Sequence, residues 1–327
     1  MCHQQGSLAN AEKLYRKVLA AEPGHFSACH NLGLVQAQLG RGEAALALID
    51  AALAIQPGNA GALNNRGTIL RDLKRFEEAL ASYDAALGVE TFFEAQHNRG
   101  TLLAEMGRTE KALTSYDQAL ACRPNSADAH YNRGNALRQL NRPVEALAAY
   151  DAALAAAPHF VDALNNRGSV LHYLKRFEEA LASYDRALTL APGTAEAMNN
   201  RGIVLMDMKR FEDALDSYTN AIALRPDYAE ALNNRGIALA DLKRFDEALA
   251  SYDRALVVRP GYAEAMANRG NALGALGRTG EALASHESAL ALNPEYVDAP
   301  AERRDAGRDR DCFEETLADA DAFLGGA

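Results

Sequence analysis

The chain has 327 residues, of which 48% are hydrophobic and 24% charged, and its formal net charge is −10. An acidic chain binds nucleic acid and anionic membranes poorly, so we expect neither as a partner. No apolar run is long enough to cross a bilayer, and the N-terminus lacks a basic segment followed by an apolar one. The four cysteines are scattered, which favours a reducing, cytoplasmic location and argues against a metal site.

One glycine recurs through the chain with a fixed period. Its copies fall 34 residues apart, with a single step of 33: Gly33, Gly67, Gly100, Gly134, Gly168, Gly202, Gly236 and Gly270. A fixed period of this length predicts stacked repeats and not a single globular core. The most regular copy is 229–262, and positions within a repeat are numbered below from its first residue, Ala229.

In chain order, residues 1–25 predict a partial repeat that retains only its second helix, Leu8–Ala21. Eight full repeats follow, at 26–59, 60–92, 93–126, 127–160, 161–194, 195–228, 229–262 and 263–296. The segment 297–327 keeps the apolar register but has lost the glycine, so we expect a degenerate, polar C-terminal capping repeat there. A segment that joins a downstream domain is the alternative.

Each repeat contains two apolar patterns with helical spacing. Small or apolar residues occupy positions 4, 8 and 11, and again positions 17, 20, 24, 27 and 28. The basic pair Lys243-Arg244 separates the two patterns in the most regular copy, and acidic residues at positions 18 and 19 open the second helix. Proline at position 32 ends it. The pattern predicts a helical hairpin in each repeat, with close packing of its helices at the glycine of position 8.

The pattern resembles that of tetratricopeptide-repeat proteins. Glycine at 8, alanine at 20 and 27, an aromatic residue at 24 and proline at 32 match that family in successive copies. The resemblance implies an all-α, right-handed superhelical solenoid of roughly nine antiparallel hairpins. One systematic departure is arginine at position 7, where the family usually has an apolar residue.

The arginine at position 7 falls on the core side of the helical wheel and therefore needs a partner. Position 25 supplies a carboxylate, either within the repeat or from the preceding one. Leu32 is the one apolar residue at position 7, and the preceding position 25 is Arg16, which favours pairing with the preceding repeat. The predicted pairs are Asp50–Arg66, Asp84–Arg99, Asp117–Arg133, Asp151–Arg167, Asp185–Arg201, Asp253–Arg269 and Glu287–Arg303. Only Arg235, preceded by Thr219, is left without a carboxylate. If these sites are buried, loss of one partner costs ~3–5 kcal/mol.

Asparagine fills position 6 of every full repeat, on the side of the first helix opposite the core positions: Asn31, Asn65, Asn98, Asn132, Asn166, Asn200, Asn234 and Asn268. Four copies add asparagine at position 5: Asn64, Asn165, Asn199 and Asn233. In the resembled family this side of the first helix lines a concave groove that binds ligands. An amide both donates and accepts hydrogen bonds, so these twelve residues are candidate contacts for a peptide backbone. The alternative is that they bridge neighbouring repeats. The ladder resembles the repeat region of O-linked N-acetylglucosamine transferases.

The same side of the first helices is acidic. Its carboxylates are Asp72, Glu94, Glu105, Asp128, Asp162, Glu196, Asp207, Glu230, Asp241 and Glu264, against Arg71 and Arg138, a net −8 from ten acids and two bases. This charge favours a basic or neutral peptide. It excludes the basic carboxylate clamp of some tetratricopeptide-repeat proteins.

No motif for catalysis, for a cofactor or for a metal occurs in the sequence, so we expect no enzyme. Three functional classes remain open. The first is a protein-interaction scaffold that binds an extended peptide. The second is a substrate-targeting array separated from a protein O-glycosyltransferase. The third is a structural protein that self-assembles through its N-terminal helix.

Overall fold

The structure is a computed structural model that describes residues 8–293. The described residues form seventeen α-helices and no strand. The helices are α1 (Leu8–Ala21), α2 (Phe26–Gln38), α3 (Gly42–Ile55), α4 (Ala60–Asp72), α5 (Phe76–Val89), α6 (Phe93–Glu105), α7 (Thr109–Cys122), α8 (Ala127–Gln139), α9 (Pro143–Ala156), α10 (Val161–Tyr173), α11 (Phe177–Leu190), α12 (Ala195–Asp207), α13 (Phe211–Leu224), α14 (Ala229–Asp241), α15 (Phe245–Val258), α16 (Ala263–Ala275) and α17 (Thr279–Leu292).

The described residues divide into two compact units, unit 1 up to residue 163 and unit 2 from residue 164. Within each unit, the two helices of a hairpin pack together, and the second helix also packs on the first helix of the next hairpin. The predicted class, an all-α solenoid of antiparallel helical hairpins, is confirmed. The proposed repeat boundaries place one hairpin in each full repeat. The predicted capping repeat at 297–327 lies outside the described residues.

The glycine at position 8 lies directly against a side chain of the second helix of its hairpin. A Cβ atom on Gly67 would lie 2.6 Å from Cε1 of Tyr83, the aromatic residue at position 24 of the same repeat. In unit 2, a Cβ on Gly202 would lie 2.5 Å from Cε1 of Tyr218. These tyrosine rings are buried, so the glycine makes room for the largest core side chain of each hairpin.

Position 15 ends the first helix in a left-handed conformation. Lys243 has φ 62° and Gly107 has φ 71°, and position 15 of every full repeat has a similar value. The following arginine donates its backbone N–H to the carbonyl at position 11, as Arg244 does to Leu239 over 2.8 Å. This is the Schellman geometry, in which one left-handed residue lets the chain reverse and start the second helix.

The predicted pairing of the position-7 arginines with the preceding repeat is confirmed for five pairs. Each arginine Nε donates to an aspartate Oδ1 over 2.6 to 2.7 Å: Asp50–Arg66, Asp84–Arg99, Asp117–Arg133, Asp185–Arg201 and Asp253–Arg269. Asp151 and Arg167 belong to different units, and their pairing stays a prediction. Arg303, the partner predicted for Glu287, lies outside the described residues.

These ion pairs are less buried than the helical wheel suggested. The five aspartates are about half exposed, and the arginines about one-quarter exposed. Solvent therefore screens the pairs, and the loss of one aspartate costs about 1 kcal/mol, not the larger value expected for a buried pair.

A serine at position 23, which the sequence reasoning missed, completes the arginine site. Arg66 Nη1 donates to Ser82 Oγ over 2.7 Å, and Ser82 Oγ donates to the carbonyl of Glu78 over 3.0 Å. The same contact joins Arg201 to Ser217 over 2.7 Å. Four of the five paired arginines therefore connect the preceding repeat to the second helix of their own repeat, while the repeat of Arg133 has Ala149 at position 23 and lacks this contact.

Candidate functional site

The twelve candidate asparagines lie on the first helices, at two different depths. Position 5 is buried: Asn64 and Asn165 are 8% exposed, Asn199 is 5% and Asn233 is 0%. Position 6 is half-buried in all eight full repeats, including Asn31 on α2 and Asn166 on α10. The eight position-6 residues are therefore the more accessible members of the set.

In unit 1, three of the four position-6 amides donate to the position-5 side chain of the preceding repeat. Asn65 Nδ2 lies 2.9 Å from His30 Nε2, and Asn98 Nδ2 lies 3.0 Å from Asn64 Oδ1. Asn132 Nδ2 lies 3.1 Å from the Nε2 of His97. Burial lowers the pKa of both histidines, which favours the neutral ring whose Nε2 accepts these bonds.

Unit 2 repeats the arrangement with asparagine on both sides. Nδ2 of the position-6 residue donates to Oδ1 of the preceding position-5 residue for Asn200 and Asn165 (3.3 Å), Asn234 and Asn199 (3.0 Å), and Asn268 and Asn233 (3.0 Å). The bridging role, which the sequence left as an alternative, is thus present in the structure. We call these bonds in either unit the amide ladder.

In the amide ladder the position-6 asparagines donate from Nδ2, and most of their Oδ1 atoms remain as acceptors. Within the part of the chain that the structure describes, no group donates to the Oδ1 atoms of Asn98, Asn132, Asn234 and Asn268. Asn65 and Asn200 differ, because their Oδ1 atoms receive long bonds of 3.5 and 3.4 Å from Asn64 and Asn199. The half-buried side chains therefore offer carbonyl oxygens, which bind N–H groups.

Carboxylates surround the ladder, but fewer of them are uncompensated than the sequence count indicated. Arg123 Nη2 lies 2.7 Å from Glu94 and Arg259 Nη2 lies 2.5 Å from Glu230. The hydrogen bond from Arg123 lowers the pKa of Glu94, which stays ionised. The sequence count omitted these arginines because they precede the proline of position 32, outside the first helix. In contrast, Glu196 is exposed, and no described base lies within ion-pair distance of it.

Both arginines, Arg123 and Arg259, also stack on aromatic rings. The guanidinium carbon of Arg123 lies 4.0 Å from the centroid of the Phe93 ring, and that of Arg259 lies 4.8 Å from the centroid of Tyr262. Each cation is therefore held between a carboxylate and a ring.

Residues 8–293 offer neither a metal cluster nor a membrane-spanning helix. No group of three or more ligating side chains that could hold a metal ion occurs there. Within the same range, no helix has the length and apolar character needed to cross a membrane. Cys29 and Cys122 are free thiols, and Cys2 and Cys312 lie outside the described residues.

Comparison with known proteins identifies the repeat. Family models described as tetratricopeptide repeat match residues 3–64, 60–91, 97–159, 160–227, 199–263 and 263–296. The chain belongs to the tetratricopeptide-repeat family. No curated protein sequence matches it.

Several solved structures are similar to the chain. PilF of Pseudomonas aeruginosa is 25% identical with a TM-score of 0.55, and the match covers 64% of this chain and 96% of that one. A tetratricopeptide-repeat protein from Parabacteroides merdae is 23% identical with a TM-score of 0.55, covering 72% and 93%. YrrB, described as having an unusual peptide-binding site, is 26% identical with a TM-score of 0.49, covering 56% and 95%.

Proposed function

We propose that the chain is a non-enzymatic interaction scaffold that binds an extended, basic or neutral peptide along the asparagine-bearing face of its first helices. The observation that carries the proposal is the set of Oδ1 acceptors on the amide ladder, one per repeat at Asn98, Asn132, Asn234 and Asn268. An extended peptide has unpaired backbone N–H groups along its length, and these are the donors that such acceptors need.

The inter-repeat bonds support this role because they fix each side-chain amide before a ligand arrives. Asn234 is held by Asn199 over 3.0 Å, so its Oδ1 has a set direction. A preorganised acceptor loses little conformational entropy when it binds a donor. Bridging and ligand binding are therefore compatible uses of one amide.

The charge of the face selects among peptides. Exposed carboxylates without a described base within ion-pair distance, such as Asp162 and Glu196, attract lysine and arginine and repel acidic segments. The net charge of −10 opposes nucleic acid as a partner. The scattered cysteines suit a cytoplasmic location.

Two other roles stay predictions. Self-association through α1 agrees with the exposure of Leu14 and Val18, which are 50% and 38% exposed, and light scattering over a concentration series tests it. A role as the targeting array of a separate glycosyltransferase is tested by co-purification with such an enzyme.

Fluorescence anisotropy tests the proposed function. The probes are labelled Gly/Ser peptides that carry lysine, glutamine or glutamate at the same positions. We expect the lysine peptide to bind most tightly and the glutamate peptide most weakly, with a lysine preference that falls as salt rises.

Matched variants locate the binding face. The double variant Asp162→Asn/Glu196→Gln should weaken binding of the lysine peptide by about tenfold, because two carboxylates near the ladder are lost. The control Glu178→Gln/Asp216→Asn makes the same change of charge on exposed residues of the second helices α11 and α13. Equal effects of the two doubles, or a preference for the glutamate peptide, would contradict the proposal.

A further inference from the structure

Two repeats show how this fold holds a cation at the edge of the asparagine-bearing face. In repeat 229–262, Arg259 at position 31 lies between the carboxylate of Glu230 at position 2 and the ring of Tyr262 at position 34. In repeat 93–126, Arg123 at position 31 pairs with Glu94 at position 2 and stacks on Phe93. In both, the cation comes from the chain itself.

Repeat 127–160 keeps the surroundings of this site and lacks the cation. Position 2 is Asp128, position 34 is Phe160, and position 31 is Ala157 in place of arginine. Asp128 is exposed, while Ala157 and Phe160 are half-buried. No described lysine, arginine or histidine lies within ion-pair distance of Asp128.

A second ring strengthens the site in this repeat. The centroid of the Tyr131 ring lies 4.8 Å from that of Phe160, with the two planes 41° apart. Tyr131 follows Asp128 by three residues on α8, so the carboxylate and the ring lie on one face of the helix. Tyr131 is also half-buried. Neither Arg123 nor Arg259 has a described second ring within stacking distance.

The basic groups that border this site are engaged elsewhere. The ring Nε2 of His130 lies 2.8 Å from the carbonyl oxygen of Pro124. His97, on the preceding first helix, lies near Asp128, but burial lowers its pKa and its Nε2 accepts from Asn132. The negative charge of Asp128 is therefore available to a cation from outside the chain.

We propose that Asp128, Tyr131 and Phe160 bind the side-chain cation of an arginine in the peptide. This inference rests on the proposed function and names one residue type of its ligand. A guanidinium fits better than an ammonium, because its plane stacks on a ring while its N–H groups donate to a carboxylate. Arg259 makes both contacts in the equivalent repeat.

The position of the site agrees with a peptide that follows the amide ladder. Asp128 precedes Asn132 by four residues on α8, so the two side chains lie one helical turn apart on the same face. A peptide that donates a backbone N–H to Asn132 Oδ1 therefore passes within side-chain reach of Asp128.

Nuclear magnetic resonance of selectively labelled tyrosine and phenylalanine rings tests the inference on the full chain. The probe is arginine blocked at both ends, with blocked glutamine as the uncharged comparison. Blocked arginine should shift the Tyr131 and Phe160 resonances in a saturable way, and blocked glutamine should not. Absence of a saturable shift at these two rings overturns the inference.

The variant Ala157→Arg restores the internal cation. It should abolish the arginine-induced shifts while the fold is kept, because the introduced guanidinium occupies the same space between Asp128 and Phe160. The control Ala191→Arg places the same charge at position 31 of the next repeat, where position 34 is Thr194 and offers no ring. The Ala191→Arg variant should keep the shifts at Tyr131 and Phe160.

Peptide measurements separate this inference from the proposed function. A Gly/Ser peptide with one arginine should bind about fivefold more tightly than its glutamine counterpart, and Phe160→Leu should remove most of that difference. If Phe160→Leu and Ala157→Arg leave the fivefold preference intact, the cation site is wrong although the peptide still binds. If no peptide binds while blocked arginine still shifts the rings, the proposed function fails and the cation site stands.

Discussion

Replacement of Thr219 by aspartate should stabilise the protein, because it supplies the one ion pair that the repeat pattern lacks in unit 2. Arg235 donates Nη1 to Ser251 Oγ over 2.8 Å, as its counterparts do, but its Nε is buried and has no hydrogen-bond partner among the described residues. Burial lowers the pKa of Arg235, which shows that its charge is poorly compensated.

The magnitude follows from the contacts that Arg235 lacks and its paired counterparts make. A buried donor without a partner costs about 1–3 kcal/mol, and a half-exposed ion pair adds about 0.2–1 kcal/mol. Repulsion from Asp216, three residues earlier on α13, subtracts about 0.2–0.5 kcal/mol. Threonine and aspartate have similar helix propensities. We take the lower end of this sum because the paired aspartates are about half exposed, so Thr219→Asp should raise the free energy of unfolding by about 1 kcal/mol.

Urea unfolding followed by circular dichroism, with hydrogen exchange in α13 and α14, measures the effect. Thr219→Asn is the matched control, since it accepts from Arg235 without adding charge, and it should give about half the gain. The reverse change, Asp185→Thr, removes the acceptor of Arg201 and should destabilise by a similar amount. A Thr219→Asp variant no more stable than the original chain would refute the pairing argument.

Three further changes test the packing and the turn. His286 occupies position 24, where burial lowers its pKa to about 4. The stability that depends on its neutral ring is fully present above pH 6.5 and falls by roughly 1–3 kcal/mol as the pH drops towards 4. In His286→Tyr this pH dependence should vanish, which thermal melts across pH would show. Gly202→Ala should destabilise by about 1–3 kcal/mol because its Cβ would lie 2.5 Å from Tyr218, whereas Gly61→Ala, at an exposed position of α4, should be neutral or stabilising in the same urea assay. Lys243→Gly should stabilise by about 0.5–1 kcal/mol because φ is 62° there, and Lys243→Ala should give no such gain in calorimetry.

Periodicity was enough to predict the hairpins and the partner of the position-7 arginine. Leu32 replaces the arginine at position 7 in the repeat whose preceding position 25 is Arg16 and not an acid. The two positions therefore change together, which indicates that they pair. The serine at position 23 had a weaker signal: Leu48 replaces it in the repeat that has Leu32, but Ala149 also replaces it in the repeat that has Arg133. That serine was missed because a small polar residue is common on the apolar face of a helix and does not by itself indicate a hydrogen-bond partner.

Hydrogen-bond direction and side-chain reach could not be predicted from the sequence. Helical spacing placed Asn234 on the correct side of α14. It could not show that Asn234 Nδ2 donates to Asn199 while Asn234 Oδ1 accepts no bond from a described residue. Helical spacing also could not predict the ion pair of Arg259 with Glu230, because Arg259 lies after the second helix and 29 residues separate the two. The left-handed residue at position 15 was detectable, because Gly107 and Asn141 are types that tolerate that conformation.

The most direct test of the peptide-binding account is a titration of the lysine peptide into protein labelled at asparagine side-chain amides. The account predicts saturable shifts of the Asn98, Asn132, Asn234 and Asn268 side-chain signals, because their Oδ1 atoms receive the peptide N–H groups. Asn220, exposed on the second helix α13, should not shift. Saturable binding that shifts Asn220 and leaves the four ladder signals unchanged would contradict the account.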